Sequence, residues 1–243
     1  MKQKNNSVRN HDVIFVVIVL SFLTFILNGC TTDADDSFDA AAVCPAEGTN
    51  MYGMSNRGTF IDERDGQEYR YTTIGDQVWM AQNLNYKTYY SMLHETKYKD
   101  CTECGLWYNL GINLPNRDII DSVCPIGWKV PTEEDWNVLL STLKNVSTAQ
   151  EALLSEKASN EYKFPNECGF SGIEAGAILA PKSTPGHERQ LQVGYKVGSI
   201  FWWTQKVTRP GYMVYINFQL STSSIEFGES ENCYFYTLRC LME

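Results

Sequence analysis

The side chains with the most chemistry to offer are the cysteines, eight in 243 residues. Cys101-Thr102-Glu103-Cys104 has the C-x-x-C spacing shared by half a zinc knuckle, by thioredoxin-type redox motifs and by local structural disulfides. A structural zinc needs four ligands, and neither a second C-x-x-C nor a close His pair completes one here. No βαβ pattern frames a redox motif either. The spacing therefore points to a local disulfide between Cys101 and Cys104, and to no metal. Of the three His, His11 lies in a leader-like segment, while His94 and His187 stand in loop-like contexts with no Ser or Cys motif beside them. No G-x-S-x-G, H-E-x-x-H or P-loop pattern occurs. Glu133 and Glu134 are adjacent acids, but a helix start explains them better than glycoside hydrolysis does. These residues name no catalytic group and no cofactor.

The first thirty residues carry an address. Lys2, Lys4 and Arg9 precede an uncharged run from Val13 to Leu27. As a helix this run spans roughly 22 Å, short of the ~30 Å core of a bilayer, which suits a signal peptide over residues 1–29. Leu27-Asn28-Gly29-Cys30 resembles the bacterial lipobox. The resemblance implies cleavage before Cys30, a diacylglyceryl thioether on its sulfur and acylation of its new amino group, enough lipid for durable anchoring. Residues 30–56 are small, polar and acidic without periodicity and read as a flexible tether. Acidic residues just after the lipidated Cys resemble surface-export signals of Bacteroidetes-type lipoproteins. The expected location is the outer membrane of a Gram-negative bacterium, facing outward. Export also favours disulfides.

The elements that must position any site come next. Gly58 to Asp62 reads as a short strand, Asp65-Gly66 as a hairpin turn, and Glu68 to Ile74 as its partner. Gly75-Asp76 turns again into Gln77-Val78-Trp79-Met80. Further on, Thr132 is a good N-cap, and Asp135 is placed to return a capping-box contact. Trp136, Leu139, Leu140 and Leu143 recur at i, i+3, i+4 and i+7, giving a helix with one apolar face. Leu153, Leu154 and Lys157 suggest a second helix over 148–158, and the Gly- and Pro-bearing stretch 164–198 reads as a long loop. Composition agrees with a globular domain: 43% apolar, 20% charged and 13% aromatic, with six Trp and fourteen Tyr. The net charge of −9 would repel a phosphate backbone, so nucleic acid is not an expected partner.

Four blocks carry a family resemblance. They are Gly58–Tyr86 (GTFIDERDGQEYRYTTIGDQVWMAQNLNY), Cys124–Leu140 (CPIGWKVPTEEDWNVLL), Phe201–Gln205 (FWWTQ) and Tyr236–Cys240 (YTLRC). Together they resemble the Fibrobacter succinogenes major paralogous (FISUMP) domain, expected here over residues 57–243. The V-P-T-x-x-x-W core in turn resembles a segment of formylglycine-generating enzymes and of C-type-lectin-like folds. That wider resemblance implies an α+β, C-type-lectin-like domain: two helices flanking a small twisted antiparallel sheet, with long irregular loops. By the same analogy Cys124 pairs with Cys240. Cys168–Cys233 is then the remaining pair, with Cys44 unpaired in the tether. Pro165-Asn166-Glu167 faintly echoes a lectin calcium loop, but no Trp-Asn-Asp strand motif accompanies it, so no calcium site is expected.

The resemblance brings no reaction with it. Three functions follow in order of expectation: a non-catalytic, surface-displayed module binding carbohydrate or another cell-surface polymer; a structural or assembly lipoprotein with envelope-protein partners; and, last, an enzyme of the formylglycine-generating type, which would need free reactive thiols. One departure from the family suggests where a ligand would sit. Where the family tends to read FWSSTE, this chain has Phe201-Trp202-Trp203. Side chains alternate faces along a strand. Trp202, on the family's own Trp, is thus expected in the core. Trp203, replacing a small polar residue, is expected on the outer face with Phe201 near it, as a stacking platform or as cover for a loop.

Overall fold

In the computed structural model of the protein, the described residues are 38–89, 91–93, 100–110, 120, 122–158, 162–179, 192–194, 198–231 and 234–243. The opening hairpins form as the turn chemistry dictates. Strand β1 (Arg57–Ile61) pairs antiparallel with β2 (Glu68–Ile74). The connection is closed by Asp62, whose carboxylate accepts from the Arg64 backbone at 3.1 Å, and by Gly66 at φ 76°. Strand β3 (Gln77–Met80) follows after Gly75, also at positive φ. Two residues each form β4 (Ser91–Met92), β5 (Trp107–Tyr108) and β6 (Trp128–Lys129). Next come β7 (Ala177–Leu179), β8 (Gln192–Gly194), the long β9 (Ser199–Arg209), β10 (Tyr212–Gln219) and β11 (Ser224–Glu231). The chain closes with β12 (Tyr234–Phe235) and β13 (Leu241–Met242).

These strands make four antiparallel sheets: β1-β2-β3-β13-β6, β11-β10-β9, β12-β7-β8 and β4-β5. The C-terminal β13 is threaded between β3 and β6, with Leu241 facing both Trp79 and Lys129. The five-stranded sheet is curled. Four strand spacings would hold the edges roughly 19 Å apart if flat, yet Phe60 of β1 stacks on Trp128 of β6 with centroids 4.4 Å apart. Arg64 clamps the same edges: it is bidentate on Asp62, donates to the carbonyls of Ser122 and Val123, and lies over the Tyr86 ring.

Among the described residues three short α-helices complete an α+β architecture that is mostly β. α1 (Ala40–Val43) is capped by Asp39. α2 (Glu133–Thr142) has the full Thr132/Asp135 capping box and buries Trp136 and Leu139. α3 spans Val146–Leu153, capped by Asn145, and so both starts and ends before the expected 148–158. Leu154 leaves the helix to bridge Gly172, with Ser155 N–H donating to the Gly172 carbonyl at 2.8 Å.

The expected tether needs a larger correction. From Phe38 onward the chain belongs to the folded unit. Cys44 is 1% exposed and disulfide-bonded to Cys168. The Val43 carbonyl accepts from Gly75 N–H, Thr49 bridges Ser55, and Arg57 reaches back to the Cys44 carbonyl. Small polar residues look like linker because they lack periodicity, but a disulfide and backbone hydrogen bonds need none.

Candidate functional site

The site is best built from β9 outward, because both faces of its first half, Ser199 to Thr204, are covered. Ile200 and Trp202 face one apolar cluster with Trp79, Trp136, Phe170, Ile216 and Phe218. Phe201 and Trp203 face a second, with Tyr108, Met213 and Tyr236. The sheet is thus a wall between two aromatic cores, and that overturns the expected platform. Trp203 is 0% exposed, its indole N–H donating to the Tyr108 carbonyl at 2.7 Å, and Phe201 is only 6% exposed. The expectation gave β9 one core face; the Tyr108 carbonyl and the Tyr236 ring supply the slot on the other.

Rings continue past Trp203 toward solvent. Tyr236 contacts Phe201 (5.0 Å, stacked), Trp203 (4.7 Å), Tyr215 (4.9 Å) and Tyr234 (5.9 Å, stacked). Of these, Tyr215 and Tyr234 are only partly buried. Tyr215 stands directly across from Gly228 of β11. A Cβ at Gly228 would fall 2.4 Å from the Tyr215 ring and hydroxyl, so the missing side chain is what lets the phenol lie flat on the sheet. Burial, then the neighbouring Tyr234 and the Glu226 carboxylate, push the Tyr215 phenol up.

The next cross-strand pair on that face is Asn217 and Glu226. Ile216 and Phe218 point into the opposite core, so alternation turns Asn217 toward the tyrosine side. Asn217 is 4% exposed and its Oδ1 has no hydrogen-bond partner among the described residues. Glu226 is exposed. An aromatic ring, a buried amide and a carboxylate therefore share one face. The sequence signal was Gly228 itself, since a glycine inside a strand pattern often marks a close approach.

A second, polar cleft of about 430 Å³ lies between the start of α2 and β9, lined by Thr132, Glu133, Glu134, Asn137, Gln205 and Lys206. Its groups are largely engaged in docking the helix: Glu133 ion-pairs with Lys206, Thr132 caps α2, and Gln205 N–H donates to the Pro131 carbonyl at 2.8 Å. Glu133 and Glu134, adjacent on a helix, do not face each other.

The described cysteines fall into three disulfides: Cys101–Cys104, Cys124–Cys240 and Cys44–Cys168. The third corrects the expected Cys168–Cys233 pair and the expected free Cys44. Cys30, the lipidation candidate, and Cys233 lie outside the described residues, as do His94 and His187. Among the described residues no group of three or more His, Cys, Asp or Glu is placed to hold a metal.

Sequence reading also missed the centre of the fold. Arg239, within the YTLRC block, is 0% exposed, with its plane 4.3 Å from the Phe170 ring centre and 5.4 Å from that of Trp202. It donates to Asn83 Oδ1 through Nε (3.2 Å) and Nη2 (2.7 Å), and to the Phe170 and Ser171 carbonyls. Trp202 donates to the same Asn83 oxygen at 2.8 Å. Burial, with Arg70 adding like charge and Glu103 opposing, pushes the guanidinium down to about 9, leaving it charged at neutral pH.

A disulfide-stapled α+β domain with aromatic cores on both sides of one sheet is the class this geometry defines. The Fibrobacter succinogenes major domain matches residues 72–241, and the chain belongs to that family. β1 and the start of β2 precede the matched span but share its sheet. No curated protein and no solved structure matches the chain significantly.

Proposed function

We propose that the protein is a non-catalytic, lipid-anchored binding module displayed on the outer face of a Gram-negative cell, with a carbohydrate polymer as its ligand. The observation that carries this reading is Tyr215 and Tyr234: two partly buried rings, both backed by Tyr236, one of them held flat over Gly228. Flat, backed rings offer the apolar surface that sugar C–H groups cover, and a rigid ring loses little entropy on binding. The lipobox-like Leu27–Cys30 segment supports anchoring. The Cys124–Cys240 bond, joining the approach to α2 with the last strand, supports the C-type-lectin-like reading of the fold.

The test is a pull-down of the chain from Thr31 onward against a broad panel of plant and microbial polysaccharides. Retention of the wild type, with Tyr215→Ala and Tyr234→Ala each weakening it about tenfold while both variants remain folded by circular dichroism, is the expected result. A blank panel, together with capture of envelope proteins, would replace this reading by the structural or assembly one. For the anchor, Cys30→Ser should move the protein from the detergent to the aqueous fraction and remove the acyl mass. A wild type already free of lipid would refute it.

A further inference from the structure

We infer that Asn217 and Glu226 are the hydrogen-bonding half of a subsite for a neutral pyranoside, with Tyr215 as its stacking half. The inference rests on the carbohydrate reading above and adds to it the class of sugar. Three observations converge on one patch of the β10–β11 face. Asn217 is an amide nine-tenths buried whose Oδ1 has no partner among the described residues, an arrangement native proteins avoid because an unpaired buried acceptor is destabilising. Glu226, its cross-strand partner, is exposed and forms no hydrogen bond or ion pair among the described residues. Beside them the Tyr215 ring lies over Gly228.

The chemistry of these groups selects the ligand. Asn217 Oδ1 and an ionised carboxylate are both acceptors, so the complementary ligand must present donors without charge, as the hydroxyls of a pyranose do. A ligand carboxylate or sulfate would supply no donor to the amide oxygen and would meet the charge of Glu226. The other acidic groups of β11 do not compensate one another in this way: Glu229 is paired with Arg209, and Glu231 accepts from Tyr212. Glu226 alone on this strand is a carboxylate left for a ligand.

Titration calorimetry of the chain from Thr31 onward separates the outcomes. The probes are neutral xylo-, cello- and manno-oligosaccharides, with oligogalacturonate as the acidic counterpart. We expect a neutral oligosaccharide to bind at least about tenfold tighter than oligogalacturonate. Asn217→Ala and Glu226→Ala should each weaken the neutral ligand about tenfold, and Glu226→Gln should raise oligogalacturonate binding. Glu226 is exposed, so its variants keep the test valid if Asn217→Ala fails to fold. Binding lost in Tyr215→Ala but intact in both Asn217→Ala and Glu226→Ala would overturn the subsite while leaving the carbohydrate reading standing. Equal affinity for neutral and acidic sugars would do the same. No binding by the wild type would overturn both.

Discussion

Arg239 permits a prediction that runs against ordinary substitution logic: at this position lysine should be worse than methionine. Among the described residues no carboxylate bonds the guanidinium, which is held by Asn83 Oδ1, two main-chain carbonyls and two ring faces. Arg239→Lys keeps the buried charge, and with it the cost of taking a cation out of water. It gives up the planar fork that spans Asn83 and Phe170, and the stacking between Phe170 and Trp202. Losing two hydrogen bonds from a charged donor at about 1.5–3 kcal/mol each puts the variant about 3–6 kcal/mol down. Arg239→Met fills much the same volume and removes the charge together with its desolvation cost. Asn83 Oδ1 still receives the Trp202 indole N–H, so the chief loss is the Phe170 carbonyl left buried, about 1–3 kcal/mol.

Urea unfolding followed by tryptophan fluorescence measures both, since Trp202 is in contact with the substituted group. With an m value of about 2 kcal/mol per molar, the midpoint should fall by about 2 M for lysine and about 1 M for methionine. If lysine instead retains stability to within about 1 kcal/mol, or methionine proves the worse of the two, charge rather than fork geometry holds the centre of the fold, and the reasoning above is wrong.

Three further outcomes follow from the packing. Trp202→Ala and Trp203→Ala should both cost about 3–5 kcal/mol, the range of large-to-small core changes, because each ring is fully buried; a harmless Trp203→Ala would restore the surface platform. A chain beginning at Arg57 should be destabilised and should show a new thiol at Cys168 by alkylation, since the Cys44–Cys168 link closes a separation of 124 residues, worth roughly 5 kcal/mol on the chain-entropy model; unchanged melting would return residues 38–56 to the status of a tether. Asp62 is raised by burial, but its hydrogen bonds to Arg64 and that residue's charge more than offset this and hold it below the ordinary value. Its folded-state depression stabilises above the unfolded pKa of about 3.9 and is lost as pH falls through the folded value. The stability gap between wild type and Asp62→Asn should therefore be constant above about pH 5 and shrink below about pH 4; a gap that persists to pH 2 would refute it.

Local rules carried much of the fold. The two hairpins and the α2 capping box were legible because each depends on a few residues close in sequence: Asp65-Gly66, Gly75-Asp76, and Thr132 with Asp135. What was not legible depends on partners far away. α3 stops at Leu153 because Gly172 offers Leu154 a bridge. Cys44 is structural because Cys168 waits 124 residues on. Trp203 is core because the Tyr108 carbonyl, 95 residues back, accepts its indole N–H and the Tyr236 ring roofs it. Residue type at position 203 could not distinguish a platform from a core ring, since an indole serves either and only the second layer decides.

The same second layer bears on where binding can occur. A chain that is 13% aromatic invites the thought that its rings are for ligands, yet Trp79, Trp107, Trp136, Trp202 and Trp203 are all essentially inaccessible. On the proposed carbohydrate reading their contribution to binding is indirect. Phe201 and Trp203 support Tyr236, and Tyr236 supports Tyr215 and Tyr234, so the outer rings stand on a packed stack. Gly228 removes the one side chain that would tilt Tyr215. A ring fixed from below and from the side loses little further freedom when a ligand covers it, and preorganisation of that kind raises affinity without adding contacts. If the proposed carbohydrate reading holds, Gly228→Ala should therefore lower retention in the polysaccharide pull-down by displacing a ring that the substitution never removes.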